Sequence, residues 1–326
     1  GYISPYFIND KDGMECAIGG DGVRPTINAY MYADAKAIAR IAELAGKAVI
    51  ADTFRSKAAG IRDAVQKTLW DPDAKFFKVV PQGKSERADV RELLGYVPWC
   101  FNLPEPGKGY EQAWAQLMDT EGFYAPYGPT TAEQRHPRFM FAHSHECLWN
   151  GPSWPFATTQ TLVALANVLN DYPQDIVSKK DYLETLQIYA RSQHIKDDNG
   201  QVKPWIDENI HPQTGEWQAR AIMYKSNRGD KDRGHDYNHS GFCDLVITGL
   251  VGLRPQEDDT VVVNPLVPEG TWDYFCLENV SYHGKQLTIL YDKTGKRYGR
   301  GKGLQVLSDG KKVASSRKLE KISGTL

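Results

Sequence analysis

The sequence predicts a mainly α-helical domain followed by a small all-β domain. In several segments of the first 253 residues, apolar side chains recur at spacings of three and four, which is typical of amphipathic helices. After Arg254 and Pro255 the pattern changes to short alternating apolar stretches separated by turns that contain glycine. We therefore predict a helical domain at residues 1–253 and a β domain at residues 254–326.

Two helices joined by a short turn are predicted near the start of the helical domain. Apolar residues recur through residues 28–45 and again through residues 49–69, and Gly46 between them is a natural helix stop. Helices joined by so short a turn pack antiparallel, so the two should form a helical hairpin. A small β-hairpin or extended loop is predicted next, at residues 71–80.

Long connections rich in proline, glycine and aromatic residues occupy residues 92–155, with one short helix predicted at 110–118. Connections of this length inside a compact domain usually carry function. The helical pattern then returns in three segments, which are residues 155–169, residues 181–192 with Ser178 as the N-cap, and residues 242–250. In the tail, the predicted strands are residues 260–263, 274–280, 287–291 and 304–307, with turns at 283–284, 294–295 and 309–310.

The composition excludes several functional classes. Of 326 residues, 41% are hydrophobic and 11% are aromatic, and the formal net charge is −2. Nucleic acids are bound by basic surfaces, so this balance argues against a nucleic-acid partner. No apolar run reaches the roughly 18–20 residues that cross a bilayer, so no membrane span is expected. The cysteines form no CxxC pair and are interpreted as small buried hydrophobic side chains.

The densest aromatic motif is WNGPSWP at residues 149–155, just before a predicted helix. Tryptophan offers a flat apolar face, and sugar rings combine apolar faces with polar rims, so this motif suits a carbohydrate site. The alternative is that Trp149 and Trp154 fill the core beneath a rigid turn. The spacing does not separate these two interpretations.

Two acidic loops could supply a pair of catalytic carboxylates. Glu208 lies next to Asp207 and near Trp205, and it is a candidate general base, although adjacent carboxylates are also common in solvated turns. Asp12 and Glu15 lie on a glycine-rich loop before the first helix. Hydrolysis of a glycoside with inversion needs an acid and a base roughly 6.5–9.5 Å apart, and one from each loop would serve.

Other chemistries have weaker support in the sequence. His143, His145 and Glu146 lie close together but do not form HExxH, so a zinc site is less favoured than the polar lining of a pocket. The acidic loop near Asp12 lacks the spacing of an EF-hand, so no cofactor is expected and calcium stays open. No phosphate-binding glycine loop and no GxSxG motif occurs.

Taken in order, these motifs resemble those of the six-hairpin (α/α)6 glycosidases, close to glycoside hydrolase family 63, mannosylglycerate hydrolase and the trehalases. Trp149–Leu169 resembles the W-x-G-P-x-W segment of that group, and ENIHPQTG at Glu208–Gly215 resembles its general-base segment. GMECA at Gly13–Ala17 is similar to the G-M-D-N-S segment that carries the general acid, with glutamate in place of aspartate. The tail at residues 260–308 is similar to the β domain of family 65.

This resemblance implies an (α/α)6 barrel that hydrolyses a glycosidic bond with inversion in a periplasmic or extracellular protein. It assigns Glu208 as general base and Glu15 as general acid, with Asp12 as the alternative acid. The expected sugar contacts are Trp149, Trp154, Trp205, Arg24, Tyr127, His145 and Tyr237.

The resemblance also leaves alternatives. A complete barrel has twelve helices, whereas about seven are predicted here before Arg254, so we expect the chain to be part of a longer enzyme. A carbohydrate-binding protein without catalytic activity on the same scaffold is one alternative function. A sugar phosphorylase is another, and the carboxylate at Glu208 argues against it.

Overall fold

The computed structural model describes residues 13–197, 199–227 and 241–326. Its contacts divide the chain into two compact units. The helical unit comprises Gly1–Val177 and Thr185–His239, and the β unit comprises Ser178–Glu184 and Ser240–Leu326. Across the described ranges, the structure contains no helix that is both long enough and apolar enough to cross a membrane.

An antiparallel pair of long helices forms the first part of the helical unit, as predicted. Helix α1 is Pro25–Leu44 and helix α2 is Ala48–Thr68. Proline suits the first position of α1 because the N–H that it lacks would have no partner within the helix. Gly46 in the connecting turn has φ +69°, a left-handed conformation that glycine adopts without strain. The side chains that α1 buries include Ala29, Tyr32, Ala35, Ala39 and Ala42.

The long connections after α2 contain little regular structure. Strand β1 (Gly22–Val23) pairs with β4 (Val80–Pro81), and β2 (Trp70–Asp71) pairs with β3 (Phe76–Phe77). A 3-10 helix at Leu93–Tyr96 leads into helix α3 (Val97–Cys100), and a second 3-10 helix spans Tyr110–Gln116. The helix predicted at residues 110–118 is therefore present with the tighter 3-10 geometry.

The aromatic residues of these connections fill the core of the helical unit. Tyr96 stacks on Trp114 with ring centroids 4.1 Å apart, and Trp99 meets Trp114 edge to face at 5.8 Å. Phe76 and Phe77 are fully buried against the same group. Edge-to-face and offset stacking are the arrangements that aromatic rings prefer. Much of the aromatic content of residues 92–155 thus stabilises the fold.

The remaining helices and strands before the β sheets follow the WNGPSWP motif. They are α4 (Pro155–Asp171), α5 (Lys179–Ser192), the paired strands β5 (His194–Lys196) and β6 (Val202–Pro204), and α6 (Gln218–Lys225). Ser178 caps α5, as predicted, because its Oγ accepts a hydrogen bond from the Lys180 N–H at 3.2 Å. Its own N–H donates to the Asp181 carboxylate at 2.7 Å. The helix begins at Lys179, two residues before the predicted start.

The β unit contains helix α7 (Gly241–Asp244), which continues as a π-helix at Leu245–Leu250. Its two antiparallel sheets have the strand orders β12-β11-β10-β9 and β13-β8-β7. Apolar residues of both sheets, among them Val261, Val263, Leu287, Ile289 and Val306, form one core. The strands are β7 (Leu253–Arg254), β8 (Thr260–Val263), β9 (Tyr274–Tyr282), β10 (Lys285–Asp292), β11 (Gly303–Ser308), β12 (Lys311–Ser316) and β13 (Ile322–Thr325).

The four strands predicted in the tail are confirmed, and three more are present. The sequence did not indicate β7, β12 or β13, since these strands are short or mostly polar. The described ranges contain seven α-helices, fewer than the twelve of a complete (α/α)6 barrel.

Gly95 offers a test of how tightly the aromatic core is packed. A methyl group at this position would overlap the Phe76 ring and the Phe77 carbonyl oxygen. We expect Gly95→Ala to lower the free energy of unfolding by about 2 kcal/mol or more, because a packed core cannot absorb the extra volume. Gly60→Ala in α2 is the control, since its methyl group would meet nothing within 4 Å and should raise stability slightly. Urea denaturation of both variants measures the difference, and equal midpoints would contradict the expectation.

Candidate active site

Backbone hydrogen bonds bring two of the predicted motifs side by side. The Ser153 N–H donates to the Ile210 carbonyl at 3.0 Å, and the Ile210 N–H donates to the Ser153 carbonyl at 2.9 Å. Isolated bridges extend this pairing to Thr130 on one side and to Trp217 on the other. These hydrogen bonds therefore hold the WNGPSWP motif next to the Glu208–Gly215 segment.

The third predicted segment joins the same place. The Trp149 N–H donates to the Glu15 carbonyl at 3.1 Å, which attaches the GMECA loop to the tryptophan motif. Gly13 and Cys16 have φ of +73° and +63°, and these left-handed residues turn the chain sharply around Glu15. All three motifs selected from the sequence thus meet in the helical unit.

Cys147 contacts one of the two predicted catalytic carboxylates. Its Sγ is 3.4 Å from Glu208 Oε2, which is hydrogen-bonding distance for sulfur. Burial raises the pKa of the Cys147 thiol, and the negative charges of Glu208, Glu15 and Glu146 raise it further. The thiol is therefore neutral at ordinary pH. It donates a hydrogen bond to the Glu208 carboxylate.

Asp207, the neighbour of Glu208, is buried with only 1% of its surface exposed. Its Oδ1 accepts a hydrogen bond from the Glu208 N–H at 2.7 Å. Burial raises the pKa of Asp207 to about 6, and the charge of Glu208 adds to the rise, while the hydrogen bond from the Glu208 N–H opposes it. The interpretation of this pair as a solvated turn is therefore wrong for Asp207.

Asn209 completes the anchoring of the Glu208 segment. Its side chain is fully buried, and Nδ2 donates to the Glu146 carbonyl at 2.6 Å. On the other side of Cys147, His145 Nδ1 accepts the Cys147 N–H at 3.0 Å. These contacts fix the backbone of residues 145–149 against the segment that carries Glu208.

The two tryptophans of the motif stack on each other, with ring centroids 4.3 Å apart and planes inclined by 22°. Trp149 is 7% exposed and Trp154 is 3% exposed. The Trp154 indole N–H donates to the Leu148 carbonyl at 2.8 Å. The burial of Trp154, with one ring face against Trp149, gives no support to the prediction that it contacts a sugar. The alternative, that it fills the core beneath the turn, describes it better.

Arg24 is also buried. Only 1% of its surface is exposed, and its guanidinium donates to the Gly20 carbonyl at 2.6 Å and to the Met14 sulfur at 3.0 Å. A side chain enclosed in this way stabilises the loop around Glu15, a role that the predicted sugar contact did not include. The sequence could not show this, because an arginine before a helix is equally compatible with a solvent-facing side chain.

Three other predicted contacts, Tyr127, His145 and Trp205, lie at partly exposed positions. Trp205 is half-buried, and the Arg220 guanidinium lies over its ring at 4.6 Å. Tyr127 packs so closely on Gly215 that a methyl group there would overlap its ring. Tyr127 also lines a cleft of about 630 Å³, together with His194, Lys196, Thr214, Glu216, Trp217, Arg220 and Tyr224. Asp12 and Tyr237 lie outside the described residues.

No metal centre is formed by the described residues. In the part of the chain that the structure covers, no three His, Cys, Asp or Glu side chains come together to hold an ion. His143 is exposed, and His145 is engaged with the Cys147 N–H through Nδ1.

Sequence reasoning missed the residues that connect the motifs. Cys147 was interpreted as a small hydrophobic side chain, and Asn209 was not singled out. Their partners lie 61 and 63 residues away in the chain, so local patterns gave no indication of them. The one available signal was position, since each lies within two residues of a residue that the motifs did select.

Two family models match the chain. The model of the mannosylglycerate hydrolase MGH1-like glycoside hydrolase domain matches residues 5–240. The chain belongs to this family. The model of the glycosyl hydrolase family 65 C-terminal domain matches residues 253–314. The resemblance drawn from the motifs is thereby confirmed, and all three motifs of the MGH1-like chain lie inside the first match.

Solved structures give both close and distant likenesses. One named "Sialidase" is 43% identical with a TM-score of 0.89; the alignment covers 98% of this chain and 28% of that one. The family 63 mannosylglycerate hydrolase from Thermus thermophilus is 16% identical with a TM-score of 0.44, covering 62% of this chain and 48% of that one. The neutral trehalase from Saccharomyces cerevisiae is 13% identical with a TM-score of 0.42, covering 68% and 39%. The chain thus spans less than half the length of each.

The buried carboxyl of Asp207 should make stability depend on pH. Its pKa of about 6 lies above the ordinary 3.8, so the folded state binds this proton more tightly than the unfolded state. The resulting stabilisation is full below about pH 4 and is lost as pH rises through about 6, a change of about 3 kcal/mol. Asp207→Asn cannot ionise. We expect its free energy of unfolding, relative to wild type, to rise by about that amount between pH 4 and pH 8.

Chemical denaturation at the two pH values measures this change. Asp63→Asn, an exposed position on α2, is the control and should show no comparable rise. A difference between Asp207→Asn and wild type that stays constant from pH 4 to pH 8 would contradict the expectation.

Proposed function

We propose that the helical unit carries the active site of an inverting glycoside hydrolase, with Glu208 as general base and Glu15 as general acid. The observation that carries the proposal is that backbone hydrogen bonds hold both the Glu15 loop and the Glu208 segment against the same tryptophan motif. Membership in a glycoside hydrolase domain family supports it. A carbohydrate is accordingly the proposed substrate.

In the proposed reaction the two carboxylates act on opposite sides of the anomeric carbon. Glu208, ionised, removes a proton from a water molecule as that water attacks the carbon. Glu15, protonated, donates its proton to the glycosidic oxygen as the bond to the leaving group breaks. The product has the opposite anomeric configuration, because a single displacement inverts the carbon. The backbone contact between Trp149 and Glu15 keeps the acid loop next to the base segment.

We also propose that the helices of this unit form part of an (α/α)6 barrel. The antiparallel packing of α1 on α2 supports this, because helical hairpins are the repeating element of such barrels. The family match over residues 5–240 supports it as well. The remaining hairpins would belong to a longer protein, in keeping with the 28% of the "Sialidase" chain that this chain covers.

The choice of sugar needs a screen of glycosides. Sialosides belong in that screen, since the 43% identical solved structure is named "Sialidase". Mannosides are included for the same kind of reason, because the family is described as mannosylglycerate hydrolase-like. A panel of aryl glycosides and natural disaccharides of these sugars covers each class.

The two catalytic assignments can be separated with substrates of different leaving groups. Glu208→Gln should lower kcat by a factor of about 100 or more on every substrate, because activation of water is always needed. Glu15→Gln should lower kcat strongly on natural glycosides but much less on dinitrophenyl glycosides, whose leaving group needs no proton. Glu121→Gln, an exposed carboxyl, is the control and should leave kcat unchanged.

Inversion is measured independently by proton NMR of the first sugar released. The opposite anomer should form before mutarotation mixes the two. Full activity of Glu208→Gln would overturn the base assignment, and retention of configuration would overturn the inverting mechanism. Binding of sugar without hydrolysis by wild type would favour the non-catalytic alternative.

A further inference from the structure

The short segment from His145 to Trp149 contacts both predicted catalytic loops. The Trp149 N–H holds the Glu15 carbonyl at 3.1 Å, and the Glu146 carbonyl accepts from Asn209 Nδ2 at 2.6 Å. His145 Nδ1 accepts the Cys147 N–H at 3.0 Å, which fixes the backbone at the centre of the segment. A side chain placed at Cys147 is therefore held rigidly relative to both loops.

The Cys147 side chain points its sulfur at the proposed base. Sγ lies 3.4 Å from Glu208 Oε2, and the acceptor there is a carboxylate oxygen. A thiol that stays protonated among carboxylates is a hydrogen-bond donor and a poor nucleophile, because nucleophilic chemistry of cysteine needs the thiolate. Its use is therefore to bind the carboxylate rather than to react.

We infer that Cys147 is a positioning residue for the general base: its thiol donates to Glu208 Oε2, which orients the carboxylate and favours its ionised form. The role in catalysis rests on the proposed function of Glu208, whereas the hydrogen bond itself does not. Hydrogen bonding to the ionised form of a carboxyl lowers its pKa.

The charged groups around this contact explain why such a donor is needed. Asp207 is adjacent in the chain, and Glu15 and Glu146 both act on the same thiol. The negative charge of ionised Asp207 opposes ionisation of Glu208, since like charges favour the neutral form. Arg220 acts on Asp207 in the opposite direction. The thiol donor counteracts the charge of Asp207.

The hydrogen bond can be tested without any substrate. The full chain is labelled with glutamate carrying 13C at Cδ, and the Glu208 resonance is assigned by its loss in Glu208→Gln. Its pKa is then measured by NMR titration in wild type, in Cys147→Ala and in Cys147→Ser. We expect removal of the donor in Cys147→Ala to raise the pKa of Glu208 by about half a pH unit or more, since thiols are weak donors. Cys147→Ser keeps a donor and should hold the pKa at or below the wild-type value.

Two further variants serve as a control and as a replacement if Cys147→Ala is unstable. Cys100→Ala removes another half-buried thiol, whose Sγ lies 3.2 Å from the Gln160 carbonyl, and it should leave Glu208 unchanged. If Cys147→Ala does not fold, Cys147→Val supplies a donor-free side chain closer in size. An unchanged pKa of Glu208 in the donor-free variant would overturn the inference, as would equal shifts in the alanine and serine variants.

The catalytic consequence is measured with the glycoside that the screen selects. In Cys147→Ala the acidic limb of kcat/KM should move to higher pH by the same amount as the Glu208 pKa, and Cys147→Ser should restore it. If the NMR shift is present while Glu208→Gln remains active, the hydrogen bond stands and the base assignment fails. If Glu208→Gln is inactive and the NMR shift is absent, the assignment stands and the role of Cys147 fails.

Discussion

The candidate site depends on one pair of backbone hydrogen bonds, those exchanged between Ser153 and Ile210. Residues 149–154 and 208–215 have no regular helix or sheet of their own. Buried backbone groups must find partners, and here the two segments supply them to each other. Glu208 and the tryptophan motif are therefore positioned by the same interaction, and a change that separated the two segments would disturb both together.

A second buried carboxylate holds the loop that carries Glu15. Glu92 is almost fully buried, and its Oε1 accepts the Gly19 N–H at 3.0 Å. Burial raises the pKa of Glu92, whereas the nearby Arg24 and the hydrogen bond from Gly19 oppose that rise. Arg24 is itself engaged with the Gly20 carbonyl. The charged side chains of Glu92 and Arg24 thus fix the loop that carries Glu15. Glu15 itself is half-buried.

The sequence predicted those features that depend on near neighbours in the chain. Helices α1, α2 and α4 have strong periodic patterns and were located within a few residues, and strands β10 and β11 were found from their alternation. The burial of Trp154 and Arg24 was not predicted, because residue type shows what a side chain can bind but not what covers it. The contact of Cys147 was not predicted for a related reason. The role of a thiol depends on the atom that it contacts, and Glu208 lies 61 residues away in the chain.

The number of acidic groups around Glu208 sets the central electrostatic constraint on the site. In the proposed reaction Glu208 must be ionised, yet burial of the adjacent Asp207 opposes the charge of that carboxyl and raises its pKa to about 6. Below that pH Asp207 is neutral, so Glu208 ionises without a second charge beside it. Above that pH the two charges are adjacent, and donors such as the Cys147 thiol must offset their repulsion. A neutral thiol suits this position better than a lysine would. The thiol stabilises the carboxylate without adding a positive charge. Such a charge would repel the positively charged sugar that forms in the transition state of the proposed reaction.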